Sequence, residues 1–504
     1  MPLRVYLTEI ALFCTFDSRL PMLFNSFEYL IFLPSVVVLY FTLPVKWRWL
    51  LLLFASYFFY MCWKAEYAIL ILFTTLVDYF VALKMGREPS RKKKKRWLVM
   101  SILVNLGMLA GFKYLNFFSE SVNALMQITN SGYSFPLYHI LLPVGISFYI
   151  FQSLSYTIDV YRGIQPPEKH FGKFALYVSF FPQLVAGPIE RSTSLLPQIN
   201  APRPFNQQNL ISGLKLILWG FFKKLVIADR LGMFVGLVYE NPGEFNGLPV
   251  ILATMLFAFQ LYCDFSGYTD IARGSARIMG YELMINFNRP LIATSLRDFW
   301  NRWHISLTTW FRDYLLYSLP YIRDKKIIQS KIYRNLVITF LLMGLWHGAA
   351  WTFIIFGLFH GLMLVVESLA EKPVGRFHEL TGINHHPGII KALGIAYMFI
   401  MVVFSLFFFR ANSLENSLIL LKEAFDFSNT AESLKAMLRN LEFVFGILMV
   451  ILLLVAEHFH AKYNLVKVIA ARPVFVRWTV YIGFIFFVLL FGVLHQQKFI
   501  YFQF

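Results

Sequence analysis

Charge is scarce in this 504-residue sequence. Only 15% of its residues are Asp, Glu, Lys or Arg, where a soluble domain carries about 25%. That shortage excludes a large water-facing surface. Cysteine is nearly absent: Cys14, Cys62 and Cys263 form no CxxC pair and no metal-ligand spacing, so they read as small apolar fillers and no metal site is expected. HExxH, Walker A, GxSxG and GxGxxG patterns are missing, and the segment 260–270 does not fit an EF-hand loop. Hydrolase, ATPase and dinucleotide chemistry have no residues to rest on. Linkers rich in Ser, Gly or Pro and internal repeats are absent too, which leaves one domain.

What remains is apolar. The sequence is 58% hydrophobic and 18% aromatic, and runs of the length needed to cross a bilayer core, about 20 residues, recur throughout. Candidate spans lie at 28–44, 47–63, 66–84, 97–118 and 136–160, then at 209–240, 247–280, 391–409, 441–459 and 478–494. The 335–370 run is too long for one span and reads as a helical hairpin turning near 348–351. Pro182, Gly187 and Pro188 make 171–189 a re-entrant piece buried in protein rather than a simple span. Residues 1–21, interrupted by Arg4, Glu9, Asp17 and Arg19, are neither a signal peptide nor a span; they read as an N-terminal extension before Met22, with 22–504 as the membrane domain. The expected fold class is an all-α polytopic membrane protein.

Net charge is +18, but the basic residues sit in short loops, as the positive-inside rule expects, and not in a nucleic-acid-binding module. The clusters at 87–96, at Arg323, Lys325, Lys326, Lys331 and Arg334, and at Lys462, Lys467, Arg472 and Arg477 fit one topology. Placed together in the cytoplasm, they put the 411–440 loop and the C-terminal tail outside.

An ionisable group at membrane depth is a functional candidate by default. His347 is the clearest, between Gly344 and Gly348 inside an apolar run; a neutral imidazole there could exchange a proton, or be a satisfied core histidine. His304 lies in 295–318, where Trp300, Trp303, Leu307, Trp310, Tyr314 and Tyr317 fall on one face of a helix expected to lie near an interface. His304 and His360 read as structural, and His385, His386, His458 and His460 as boundary residues. Asp264 and Asp270 should pair within the protein with Arg273 and Arg277, since unpaired charge there costs too much.

Five segments carry a resemblance: LPVGISFYIFQ at 142–152, FPQLVAGPIER at 181–191, YCDFSGYTD at 262–270, RDFWNRWH at 297–304 and GLWHG at 344–348. In this order on a polytopic chain they resemble the membrane-bound O-acyltransferase (MBOAT) family, in its bacterial branch of alginate O-acetylation and teichoic-acid D-alanylation proteins. The resemblance implies tilted helices ringed around a central tunnel, with re-entrant and interfacial helices, in the bacterial inner membrane. It places the family's essential histidine on His347 and its second on His304, with Trp346, Gly348, Trp303, Asn301, Asp264 and Asp270 as tunnel or structural candidates. Asn301 stands where many relatives carry Arg, which reads as a surface variation. No cofactor is implied as bound. The implied donor is acetyl-CoA or an acyl-carrier thioester, and the implied acceptor a polysaccharide hydroxyl, reached through a secreted or membrane-anchored SGNH-type acetyltransferase partner; lipid is the other partner. D-alanyl transfer to teichoic acid is the alternative within the family, and a transporter the alternative outside it.

Overall fold

A computed structural model describes residues 22–502 except 131, 139, 140, 186, 321, 324, 325, 429 and 495–498. The extension 1–21, with Cys14, lies outside the described residues. The chain is an all-α polytopic membrane protein: apart from a two-residue β pair, Ile322–Arg323 with Lys326–Ile327, the regular elements among the described residues are helices. Seven of them are long and apolar enough to cross a membrane: Tyr67–Arg87, Arg91–Ile128, Leu248–Ile278, Trp351–Thr381, Pro387–Arg410, Leu441–Tyr463 and Val474–Phe491.

How far protein covers these helices sorts them. Val474–Phe491 is only 6% buried over its most apolar stretch, whereas Leu248–Ile278 is 72% buried. Exposed Phe54, Leu103, Phe486 and Leu490 are tolerable only against lipid, because in water such a girdle would aggregate. Leu248–Ile278 is therefore the central post, and Gln207–Phe221 lies along it. The approach is close because both helices present glycine. A Cβ on Gly267 would stand 2.8 Å from the Gly220 carbonyl oxygen, and one on Gly220 would stand 2.6 Å from that of Gly267. Small residues let membrane helices pack backbone to backbone.

That approach sets the buried ion pairs. Lys223 and Lys224, on the π-helical turn Phe222–Ala228, face the central helix. Lys223 Nζ reaches Asp270 at 2.7 Å, and Lys224 Nζ reaches Asp264 at 2.6 Å and Asp229 at 2.7 Å. The two aspartates do pair inside the protein, but mainly with lysines 40 to 47 residues earlier. Of the expected arginine partners, Arg273 adds a 3.5 Å contact to Asp270, while Arg277 turns to Glu282.

Other expectations divide. The 335–370 hairpin is present: Gln329–His347 ends at the histidine and Trp351–Thr381 returns. Gly344 and Gly357 bring its arms together, a Cβ on either falling within about 3.0 Å of the other's Cα. The 171–189 segment is re-entrant in character, two short buried helices, Phe171–Ser179 and Phe181–Leu184. The 136–160 span is not a span. Its helix, Ile146–Arg162, is buried on nearly every side by protein. Asp78 on Tyr67–Arg87 ties it in, accepting hydrogen bonds from Ser153 Oγ, Ser101 Oγ and Asn105 Nδ2. An apolar run enclosed by other helices is indistinguishable by composition from one facing lipid.

Candidate functional site

The site begins at a break. The 295–318 segment is not the continuous interfacial helix its aromatic spacing suggests. Leu296–Arg302 stops, His304 takes a left-handed backbone at φ 41°, and Ile305–Trp310 starts again. A non-glycine residue there costs on the order of 1–3 kcal/mol and persists only when its surroundings impose it. Asn286 imposes it: its carbonyl accepts the Ile305 N–H at 2.9 Å, and its Oδ1 accepts the N–H and hydroxyl of Ser306. The aromatic stripe faces protein instead of an interface, with Trp300, Trp303, Leu307, Trp310 and Tyr314 all buried and only Tyr317 exposed. The 3–4 spacing registers a one-sided stripe but cannot say what covers it.

Four of the five motif segments converge where His304 points. The Phe265 ring lies 4.6 Å from the His304 ring, Phe148 lies 5.5 Å from Trp346, and Phe151 stacks on Trp310 at 4.0 Å while accepting its indole N–H at its carbonyl. Trp346 stands 5.9 Å from His304 and 5.0 Å from His347. The fifth segment braces this group from behind: Gln183 Nε2 and Gln152 Nε2 both donate to the Tyr177 carbonyl, at 2.8 and 2.5 Å.

The three core histidines differ in one decisive respect. His360 is satisfied. Its Nδ1 accepts from Trp300 Nε1 at 3.3 Å, which leaves Nε2 to donate to Ser405 Oγ at 3.0 Å, and that hydroxyl donates onward to the Val402 carbonyl. His347 and His304 are 3% and 0% exposed, yet among the described residues no group hydrogen-bonds either nitrogen of either ring. Buried polar atoms are usually paired; other unpartnered ones here include Tyr149 Oη, Gln183 Oε1 and Asn286 Nδ2, so what sets His347 apart is its place between two cavities.

Two small cavities meet at His347. Trp300, Trp303, His360 and Ser405 line the first; Lys113, residues 142–148 and Trp346 line the second; His347 and Tyr501 line both. Tyr501 is supplied by the C-terminal segment, its ring 5.7 Å from His347 and 6.3 Å from His304. The described part of the tail is thus folded inward and is no free docking element. Phe499 is buried, and the Ile500 N–H donates to Asp264 Oδ2 at 2.8 Å.

The other candidates are scattered by comparison. Trp346 lines the second cavity with its indole N–H unpartnered, and Trp303 lines the first. Gly348 opens the hairpin turn, where a Cβ would strike the Phe353 ring. Asp264 and Asp270 are held in ion pairs, and Asn301 is exposed on the outer side of its helix. Sequence reasoning missed Lys113 and Tyr501. A lone lysine in the apolar run 97–118 is a usable signal for the first; the ending 499–504 resembles that of the alginate-acetylation branch, but nothing in it ties Tyr501 to His347.

Comparison with known proteins identifies the family. The sequence model of the membrane-bound O-acyltransferase family matches residues 168–411. A probable alginate O-acetylase of Azotobacter vinelandii is 39% identical over 397 residues, covering 78% of this chain and 76% of that protein. A peptidoglycan O-acetyltransferase of Helicobacter pylori is 34% identical over 400 residues, covering 74% and 72%. A teichoic acid D-alanyltransferase of Streptococcus thermophilus is 30% identical over 286 residues, covering 53% and 68%. Identity at this level over three quarters of the chain leaves the transporter reading without support; the chain belongs to the membrane-bound O-acyltransferase family and is an O-acyltransferase.

Proposed function

We propose that the enzyme moves an acetyl group from a cytoplasmic thioester to hydroxyls of a polysaccharide outside the membrane, with His347 as general base. The observation carrying this is the pair of cavities meeting at an imidazole that no side chain among the described residues hydrogen-bonds. Loop charge orients them. With 87–96, the start of Gln329–His347 and the 463–474 turn in the cytoplasm, the Lys113 cavity, lined from the later parts of Arg91–Ile128 and Gln329–His347, is assigned to the outer side and the Trp300 cavity to the donor. Acetyl-CoA or an acyl-carrier thioester then enters on the tryptophan side. In the reaction an acceptor hydroxyl oxygen attacks the thioester carbonyl carbon while its proton passes to His347. The tetrahedral species collapses with cleavage of the C–S bond, and the sulfur leaves as thiolate, which needs little acid help because a thiol pKa is about 8.5. His304 stands behind Trp346 and Tyr501, outside both cavity linings, and serves to place those rings.

The acceptor is drawn from the relatives' names, alginate and peptidoglycan, and fits an acetylated envelope or secreted polymer. An SGNH-type partner is invoked because the described chain has no water-facing domain that could hold a long polymer; with the described part of the tail turned inward, the outward loops, 411–440 among them, are left to meet it. D-alanyl transfer, the activity named for the Streptococcus relative, is the second reading. Transfer from radiolabelled acetyl-CoA, measured in membranes normalised for protein, tests the assignment. General-base help is worth about 10²–10⁴ in rate, so His347→Ala should lose at least that order while protein level and donor binding persist. A nearly active His347→Ala would refute the central role, and selective use of a D-alanyl carrier would replace the substrate.

A further inference from the structure

The helix that carries His347 ends abruptly. Gly348 leaves it in extended conformation at φ −159°, and among the described residues no backbone N–H of the hairpin turn returns to its last carbonyls. A helix end leaves four such carbonyls, which need donors when buried. Here the donors come from another helix. Lys113 Nζ lies 2.6 Å from the Trp346 carbonyl oxygen and 3.0 Å from that of His347, and Tyr114 Oη donates to the Leu345 carbonyl at 3.0 Å. Three consecutive carbonyls are thus taken by two consecutive side chains. That reach follows the π-helical turn Ala110–Tyr114, whose extra residue in the turn shifts both side chains toward one neighbour; such turns interrupt α-helices frequently at functional sites. A cation at a helix C-terminus also meets the negative end of its dipole. Lys113 itself lines the second cavity beside Trp346 and His347.

We propose that Lys113 and Tyr114 are positioning residues: by capping the last turn of Gln329–His347 they hold the imidazole at the junction of the two cavities. The role assumed for His347 is that of the preceding section. What the cap adds is that the ring's position is set from outside its own hairpin, by the Arg91–Ile128 helix. Without the cap the last turn frays, and His347, its ring unheld by hydrogen bonds, swings with it.

The full chain in nanodiscs, with Lys113→Met, Lys113→Arg and Tyr114→Phe, tests this through two readouts. The first is hydrogen–deuterium exchange of peptides covering 343–351, compared with 257–270; the second is kcat and KM for acetyl transfer. Loss of one or two net hydrogen bonds should raise exchange in 343–351 about tenfold in Lys113→Met and several-fold in Tyr114→Phe, with 257–270 unchanged. In both variants kcat should fall in parallel at unchanged donor KM, and Lys113→Arg, which keeps cationic donors, should restore most of both. Unchanged exchange in Lys113→Met overturns the cap, and raised exchange with unchanged kcat overturns the positioning role. Should Lys113→Met fail to accumulate, the nearly isosteric Tyr114→Phe decides on the same two readouts. A wild-type protein without acetyl transfer would sink the reading of the preceding section, and the exchange measurement would then decide the cap alone.

Discussion

At the scale of single residues, the useful distinction is between imidazoles that are held and imidazoles that are not. The sequence shows three histidines in apolar surroundings and marks His347 by its flanking glycines. It cannot show that Trp300 and Ser405, 60 and 45 residues from His360, occupy both of that ring's nitrogens. That satisfaction predicts different failures. His360→Ala strands the buried Trp300 indole N–H, worth about 1–3 kcal/mol when left unpaired, while the Ser405 hydroxyl keeps its bond to the Val402 carbonyl. It should therefore lower folded yield and melting temperature, read by fluorescence-detected size exclusion. His347→Ala and His304→Gln strand no partner among the described residues and should yield folded protein at the wild-type level. Their activities should then separate, since His304→Gln preserves size and polarity beside Trp346 and Tyr501, and much of the transfer rate should survive. A dead but well-folded His304→Gln would mean that both imidazoles serve the chemistry. Lys113 is the contrasting case of illegibility. Its charge was visible in an apolar run, but its purpose lies in carbonyls more than 230 residues away.

At the scale of elements, hydropathy and helix-breaking residues located the hairpin at 348–351 and the re-entrant piece at 171–189, because both depend on local chemistry. They failed where an element's surroundings decide its role. Ile146–Arg162 has the composition of a span and the environment of a core, and the aromatic stripe of 295–318 reads as interfacial until Asn286 bends the backbone at His304. The same limit hid the pairing of Lys223 and Lys224, which follows from how closely Gln207–Phe221 approaches the central helix. That approach can be tested directly. A Cβ at position 267 has only 2.8 Å to the Gly220 carbonyl and 3.1 Å to the Lys224 nitrogen, so there is no room to give without separating the helices. Gly267→Ala should lower the melting temperature measurably, in line with the roughly 1–3 kcal/mol cost of overpacking. Gly267→Val should leave little monodisperse protein, because prising the helices apart also pulls Lys223 from Asp270 and Lys224 from Asp264. Full thermal stability in Gly267→Val would mean that the contact between these helices is looser than described.

At the scale of the whole molecule, the direction of transfer rests on which face of the membrane each loop occupies. The helices impose a parity that charge alone does not. Pro387–Arg410 and Leu441–Tyr463 are each long and apolar enough to cross once, and on that reading the 411–440 loop lies opposite both the 381–387 turn and the 463–474 turn. Val474–Phe491 crosses back, which brings the chain to the same side as 411–440 before the tail folds in to place Tyr501 at the cavity junction. Basic residues crowd the 463–474 side and the 87–96 turn, and the positive-inside rule assigns that side to the cytoplasm. Two cysteines test it. Lys93 and Lys435 are both exposed, the first in the basic opening turn of the Arg91–Ile128 helix and the second on the Thr430–Arg439 helix of the opposite loop. In intact cells Lys435→Cys should react with a membrane-impermeant maleimide, and Lys93→Cys should react only after permeabilisation. The reverse pattern would turn the protein over, putting the Trp300 cavity outside and the Lys113 cavity in the cytoplasm. A cytoplasmic thioester would then have to enter past Lys113, and the direction of acetyl transfer proposed above would fail with the topology.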